Sequence, residues 1–282
     1  SLLQVQTVGN FALVNVDLNS ITTTSDLMRV AAQEISYNPS TINAINYPDT
    51  ACMFNFISSS ALVRFVGIQF GPITSTGNVI RISNTNVLQL VNVRTTQVNG
   101  HFLNVDSIQT LQISASTFQG LQDSFMLMPA TPSVTISSTT FVGCDLVTKG
   151  SSLITLVGST SLSTSVSMVQ VDFRNIKTVT TAHILDLGVT SSTFTTTTFV
   201  LLSGPQYILS FMSYEPTSLL PHTINFQTQC VYNESGSAFL QMNQVPHSIT
   251  ITDMLFDLLN IAGNNAIGLL RAKPGTQPDY IF

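Results

Sequence analysis

One pattern recurs along this chain: two apolar residues separated by one position, then four positions, then an apolar residue that is usually Phe. Two clear copies are LQISASTF, which ends at Phe118, and VTISSTTF, which ends at Phe141. Repeats with a period of 20–50 residues are typical of solenoids, propellers and arrays. The pattern therefore constrains the fold strongly before any single residue is considered.

The last apolar residue of each copy serves as an anchor for the repeat, and Tyr47 and Thr95 are placed mainly by spacing. The predicted anchors are Leu18, Tyr47, Phe70, Thr95, Phe118, Phe141, Phe173, Phe199, Val231 and Phe256. A second alternating apolar segment follows most anchors, for example at 79–82 and 153–156, so each rung should contain at least two strands. About ten rungs spaced at ~4.8 Å would form a rod core roughly 48 Å long.

A turn-forming residue stands two positions after several anchors, at Gly120, Gly143, Asn175 and Asn233. Gly and Asn tolerate positive φ, so this fixed offset predicts a left-handed corner in each rung. We expect an all-β chain in which residues 1–272 form a single right-handed parallel β-helix and 273–282 form an extended C-terminal tail. A β-sandwich does not explain one Phe per repeat, and a membrane barrel fits poorly with six Tyr and no Trp.

Five segments show the repeat most clearly: LQISASTFQG (111–120), VTISSTTFVG (134–143), VSMVQVDFRN (166–175), TINFQTQCVYN (223–233) and ITITDMLFD (249–257). Through them the chain resembles the pectin-lyase-like superfamily of right-handed parallel β-helices. It is most similar to the non-enzymatic repeat members of surface adhesins and coat proteins. The resemblance covers about residues 11–272. It implies the fold and a role at a surface, whereas the motifs are unspecific for activity.

Composition favours a location that is extracellular or on a cell or virion surface. Charged residues make up 8% of the chain, against roughly 25% in ordinary soluble domains. The nine Lys and Arg residues are scattered and the net charge is −5, so we expect no nucleic acid partner, because phosphate binding needs clustered basic side chains. Since no apolar run reaches ~18 residues, we expect no membrane insertion. The start at Ser1 predicts a processed product or a fragment.

Catalytic carboxylates in this fold would have to share a face in neighbouring rungs. The resemblance implies that polysaccharide-cleaving relatives use close Asp clusters, or carboxylate-bound Ca²⁺ with a basic residue. Here Asp253 and Asp257 fall in one rung, no two adjacent rungs share an acidic position, and Arg174–Lys177 (RNIK) matches a catalytic motif only loosely. We therefore expect no catalytic residue, no metal, no cofactor and no enzymatic activity.

Two Pro-His motifs occupy the same place in consecutive repeats. His222 and His247 each stand nine residues before their predicted anchors, so they should stack about 4.8 Å apart. Such a pair could bind a metal or respond to pH. No third ligand shares the position, so we expect a stacked histidine pair without a metal.

The three cysteines fall in separate rungs. Cys52, Cys144 and Cys230 are placed in the second, sixth and ninth rungs. The nearest two would be about 14 Å apart along the axis, beyond the ~7 Å Cα reach of a disulfide, so we expect three unpaired thiols. Asn233 begins the sequon Asn-Glu-Ser and is a candidate glycosylation site.

The ends of a solenoid expose edge strands that invite pairing. Residues 2–5 alternate and should form a further strand, and the tail ends in the candidate assembly residues Tyr280, Ile281 and Phe282, which could dock on a neighbour or fold back over the last rung. We expect an extracellular structural subunit of a surface appendage, coat or filament that associates with itself or with a related β-helix subunit. The alternatives are an adhesin or carbohydrate-binding β-helix with glycan partners, including the viral fibre type, and a polysaccharide lyase or hydrolase.

Overall fold

The structure of the chain is a computed structural model. It describes residues 1, 3–57, 60–128, 133–157, 163–205, 207–211, 223–227, 230–233, 238–242, 248–251, 254–256, 270–272 and 280–281. Every regular element in these residues is a β-strand. None of the described elements is a helix of the length and apolar character needed to cross a bilayer.

The strands are short and follow one another closely along the chain. Their bounds are β1 (Leu3–Leu13), β2 (Leu18–Thr22), β3 (Met28–Tyr37), β4 (Ser40–Asn46), β5 (Cys52–Phe56), β6 (Ser60–Val66), β7 (Ile68–Phe70), β8 (Asn78–Ile82), β9 (Thr85–Val91), β10 (Arg94–Thr95), β11 (Leu103–Val105), β12 (Ile108–Ser114), β13 (Thr117–Gln119), β14 (Met126–Met128), β15 (Ser133–Val142), β16 (Ile154–Leu156), β17 (Ser165–Lys177), β18 (Leu185–Leu187), β19 (Ser191–Thr195), β20 (Thr198–Ser203), β21 (Tyr207–Phe211), β22 (Thr223–Gln227), β23 (Cys230–Asn233), β24 (Ala238–Met242), β25 (Ser248–Ile251), β26 (Met254–Phe256), β27 (Leu270–Ala272) and β28 (Tyr280–Ile281).

These strands stack as three parallel ladders, each of which receives one strand segment from every turn of the chain. The first ladder contains the starts of β1 and β3, then β5, β8, β11, β14, β16, β18, β21, β24 and β27. The second contains the ends of β1 and β3, then β6, β9, β12, the starts of β15 and β17, β19, β22, β25 and β28. The third contains β2, β4, β7, β10, β13, the ends of β15 and β17, β20, β23 and β26. The expected fold class, a single parallel β-helix, is confirmed.

The core is a set of apolar columns inside the coil. Alternate residues of each strand point inward, as the pleat requires, and equivalent residues of successive turns lie on top of each other. In the second ladder, for example, Leu111 aligns with Val134 and Ile113 aligns with Ile136, and all four are buried. The repeated apolar-x-apolar pattern of the sequence is therefore the inward face of the second ladder.

The third ladder contains the anchor column, and eight of the ten predicted anchors lie in it. The partners in register are Leu18, Ile42, Phe70, Thr95, Phe118, Phe141, Phe173, Phe199, Tyr232 and Phe256. Two predicted anchors were wrong: Ile42 replaces Tyr47, and Tyr232 replaces Val231. Tyr47 is buried beyond the end of β4, and the second turn fits the pattern through Ile35 and Tyr37. In the ninth copy, the register of β20 with β23 requires one additional residue before the anchor.

Left-handed corners follow the anchors, as the sequence predicts. Gly120, Gly143 and Asn175 have φ values of 67°, 61° and 52°. Residues other than Gly and Asn also adopt positive φ at this offset, namely Ser20, Ala44 and Leu201. A second left-handed corner, three residues before the anchors, was not predicted; it is formed by Asn15, Gly67, Asn92, Ala115, Ser138, Gln170 and Thr196. Two bends of this kind turn the chain from the second ladder into the third and then away from it.

Candidate assembly site at the first turn

The first turn of the coil is an open edge in the part of the chain that the structure describes. Among the described strands, β1 pairs only with β3 and β2 pairs only with β4, so one side of each strand has no described partner. Residues 2–5 are predicted to form a further strand; residues 3–5 do so as the start of β1, and residue 2 lies outside the described residues. The outer side of this turn therefore presents main-chain N–H and C=O groups to which another parallel strand could bond.

The inward side chains of this turn are only partly buried. The half-buried residues that pack against the core are Leu3, Val5, Phe11, Leu13, Leu18 and Ile21. Their partners one turn further are Met28, Val30, Ile35, Tyr37, Ile42 and Ile45, and each of these is at most 3% exposed. A single additional turn is thus enough to bury an inward residue almost completely, and none of the described strands gives the first turn that cover.

The open turn is nearly free of charge. Asp17 is the only charged side chain in the sequence between Ser1 and Ser25. Its Oδ1 accepts a hydrogen bond of 3.1 Å from the backbone N–H of Thr41 in the next turn, so this carboxylate is held toward its own chain. The N-terminal ammonium of Ser1 donates to Ser25 Oγ at 2.7 Å. An incoming strand would meet mainly apolar side chains and backbone groups, with little charge to desolvate.

At the other end, the chain continues its own ladders. Strand β27 pairs with β24 in the first ladder. Strand β28, which contains the candidate assembly residues Tyr280 and Ile281, pairs with Ile249 and Thr250 of β25 in the second ladder. The third candidate, Phe282, lies outside the described residues. In this structure, then, Tyr280 and Ile281 extend the coil by a further strand.

The remaining predicted site residues are only partly within the described chain. His222 and His247 lie outside it. Asn233 is the last residue of β23 and aligns with Val200, because the anchor is Tyr232. The sequon therefore begins one residue before the corner position occupied by Leu201, and the predicted corner position for Asn233 was wrong.

Two of the three cysteines are described with their side chains. Cys52 and Cys144 are free and buried, as expected, and Cys230 lies in β23. Burial, with a smaller contribution from the nearby carboxylate of Asp26, raises the pKa of the Cys52 thiol to about 11. Burial likewise raises the pKa of the Cys144 thiol to about 11. Both thiols are therefore protonated and weakly nucleophilic at neutral pH.

The outer face of the second ladder is covered by neutral polar side chains. One outward column aligns Gln112, Thr135, Ser167, Thr193 and Asn225. A parallel column aligns Thr110, Ser133, Ser165, Ser191 and Thr223. Neighbouring members bond to each other, as Thr223 Oγ1 does to Ser191 Oγ at 3.2 Å. The face repeats at the ~4.8 Å strand spacing and contains no charge over these turns.

The sequence predicts the half-buried inward residues of the first turn as core residues and does not indicate that they are partly exposed. Leu13 and Leu18 fit the repeat pattern as well as any later copy, so periodicity assigns them to the interior. Their exposure depends on which turn comes before them in space, and the pattern does not contain that information. The signal that could have found them is their position in the first copy of the repeat.

Comparisons with protein-family models, with curated proteins and with solved structures found no match.

Proposed function

We propose that this chain is a structural β-solenoid subunit of an extracellular surface appendage, coat or filament, and that it assembles end to end through its open first turn. By the resemblance of its repeats we group it with the right-handed, surface-repeat members of the pectin-lyase-like superfamily. The observation that carries the proposal is the sharp change in burial between the first and second turns. Phe11 is half-buried, whereas Ile35, its partner one turn further, is fully buried.

The proposed partner is the last turn of a second copy or of a related β-helix. All ladder pairings in the described chain are parallel, so a neighbour that continues the ladders would stack in the same direction. In such a stack, β28 of one subunit would lie against the end of β1 in the next. Head-to-tail contacts of this type generate open filaments when the rotation does not close.

Charge substitutions at the open turn test this proposal. Leu13→Lys together with Leu18→Lys places two ammonium groups where an incoming turn would bury them, and burying an unpaired charge is strongly unfavourable. We expect the wild type to form rods longer than one subunit and the double variant to remain as single rods. Negative-stain imaging and light scattering across a dilution series would measure particle length and mass.

A matched control uses outward neighbours in the same turn. Val14 is 56% exposed and Asn19 is exposed in β2, so Val14→Lys with Asn19→Lys adds the same charge without entering the stacking surface. Assembly should persist in this control. Equal assembly of the inward and outward variants would overturn the proposal, as would a wild type that stays monomeric at high concentration. A deletion of residues 274–282 separately tests whether the tail contributes.

Adhesion is the second candidate, because of the uncharged hydroxyl and amide face on the second ladder. Polar ladders with regular spacing could bind a polysaccharide along the rod, as an adhesin or a viral fibre would. Dispersed single rods that bind glycans would favour this function over a filament subunit. A polysaccharide-cleaving role is not required by either proposal.

A further inference from the structure

A cluster of three reactive side chains lies at the corner that precedes the first ladder, far from the open end. His101 stands just before β11, and Asp123 and Ser124 stand just before β14. Since Leu103 pairs with Met126, His101 and Ser124 occupy the same place in consecutive turns. The ladder therefore brings together residues that are 23 positions apart.

The imidazole of His101 lies between a hydroxyl and a carboxylate. Its Nδ1 is in hydrogen-bond contact with Ser124 Oγ, and its Nε2 lies 3.5 Å from Asp123 Oδ2. A carboxylate beside Nε2 favours the tautomer with the proton on Nε2, and this leaves Nδ1 free to accept the proton of Ser124. The order hydroxyl, imidazole, carboxylate is the arrangement that activates serine nucleophiles, which is recognised by geometry and not by sequence position.

The carboxylate is fixed by hydrogen bonds of its own. Asp123 is 4% exposed, and its Oδ1 accepts from the backbone N–H of Ser124 at 2.7 Å and from Ser151 Oγ at 2.9 Å. The carbonyl of Ser151 in turn accepts from Thr178 Oγ1 at 3.1 Å. These contacts orient Oδ2 toward the imidazole, and burial strengthens its effect because the local dielectric is low.

Access to the cluster is restricted to one side. The side chain of His101 is 35% exposed, whereas Ser124 is 4% exposed. On the neighbouring side the backbones pack tightly, since a Cβ placed on Gly100 would come within 1.9 Å of the carbonyl oxygen of Gly77. Because Ser124 is buried beside the partly exposed imidazole, a molecule would approach Ser124 Oγ along that imidazole edge, and this narrow access favours a small, unbranched acyl group.

We propose that Ser124 is a nucleophile for small carboxylic esters, with His101 as its general base and Asp123 as a positioning residue. Ser124 Oγ forms a bond to the carbonyl carbon while its proton passes to His101 Nδ1. The bond from that carbon to the alcohol oxygen then breaks, and the alcohol leaves with the proton from Nδ1. Water, deprotonated by the same imidazole, releases the carboxylic acid and restores Ser124.

Covalent labelling of the whole chain with a small fluorophosphonate tests the proposal. We expect one adduct by intact mass, mapped by peptide sequencing to Ser124, and slowed by an excess of p-nitrophenyl acetate. Ser124→Ala should abolish the adduct, and His101→Gln should slow labelling roughly 100-fold. Asp123→Asn should slow it by a smaller factor, and Asp123→Glu should recover part of the loss, which a purely structural role would not produce.

Ser152 provides a matched control. It occupies the place of Ser124 one turn further, since Met126 pairs with Ile154, and its Oγ accepts from the backbone N–H of His183 at 2.9 Å. Ser152→Ala should leave labelling unchanged. Absence of an adduct in the wild type, an adduct that maps to another residue, or equal labelling of His101→Gln would overturn the proposal. Mapping on the wild type decides the matter even if a variant fails to fold, and filament assembly is measured independently.

Discussion

Leu201 holds a strained backbone conformation at the surface. Its φ is 55°, in the left-handed region that costs L-residues other than Gly roughly 1–2 kcal/mol, and it is 62% exposed. Leu201→Gly should therefore stabilise the fold by about 1 kcal/mol, after the entropy that glycine adds to the unfolded chain is subtracted. Urea unfolding would measure the change.

The control for this prediction is Leu201→Ala, which removes the same exposed apolar surface but keeps the Cβ and its strain. We expect no gain from this variant. A gain of similar size in both variants would show that surface apolarity, and not the left-handed backbone, limits stability at this corner.

The two described thiols predict a loss of stability at alkaline pH. Burial raises the pKa of Cys52 and of Cys144 from the ordinary 9.0 to about 11. Between these values the unfolded chain loses thiol protons that the folded chain keeps, so the free energy of unfolding falls as pH rises, by about 1.4 kcal/mol per pH unit for each thiol. Below pH 8 the thiols should contribute no slope.

Denaturation at a series of pH values checks this prediction. In Cys52→Ala with Cys144→Ala the slope between pH 9 and 11 should be reduced, while the buried hydroxyls of Tyr37 and Tyr47, whose pKa values are also raised by burial, still lower stability at higher pH. An unchanged slope in the double variant would contradict the assignment of this loss to the thiols.

At the scale of the element, the anchor column is a continuous aromatic stack from Phe118 to Phe199. The ring centroids of Phe141 and Phe173 are 5.2 Å apart with planes 4° from parallel, and those of Phe173 and Phe199 are 5.1 Å apart at 6°. Phe173→Ala removes a ring packed on both faces, so it should cost roughly 3–5 kcal/mol. Phe173→Leu, which keeps most of the volume, should cost less than about 1.5 kcal/mol, and a similar cost for both variants would argue against the stack as the source.

The residues that pair in register could be predicted from the sequence where neighbouring copies of the repeat have the same internal spacing. The pairing of Phe118 with Phe141 follows directly from two equal copies. The anchors Ile42 and Tyr232 were missed for different reasons: a buried aromatic residue, Tyr47, directly follows the end of β4, and the ninth copy has one extra residue. A spacing rule cannot detect a local insertion, because the hydrogen-bond register absorbs it.

At the scale of the whole molecule, periodicity predicted the coil but not the candidate sites on it. His101 and Ser124 each stand six positions after their anchors, Thr95 and Phe118, so the sequence contains their equal offset. Their contact also depends on how the two turns are aligned, which is seen only in the folded chain. A spacing rule for paired carboxylates does not detect a mixed set of Ser, His and Asp. The open first turn depends on the burial that one turn gives to the next, which only the folded chain contains.

Because the ladder hydrogen bonds lie along the axis of the coil, a pulling force along the rod acts directly on them. Each turn holds its neighbours through short segments such as β11 and β13, so turns at an end can peel away one after another. A released turn of roughly 25 residues, extended at about 3.4 Å per residue, adds on the order of 85 Å of length. A rod of this design would therefore lengthen under tension in successive steps, one turn at a time.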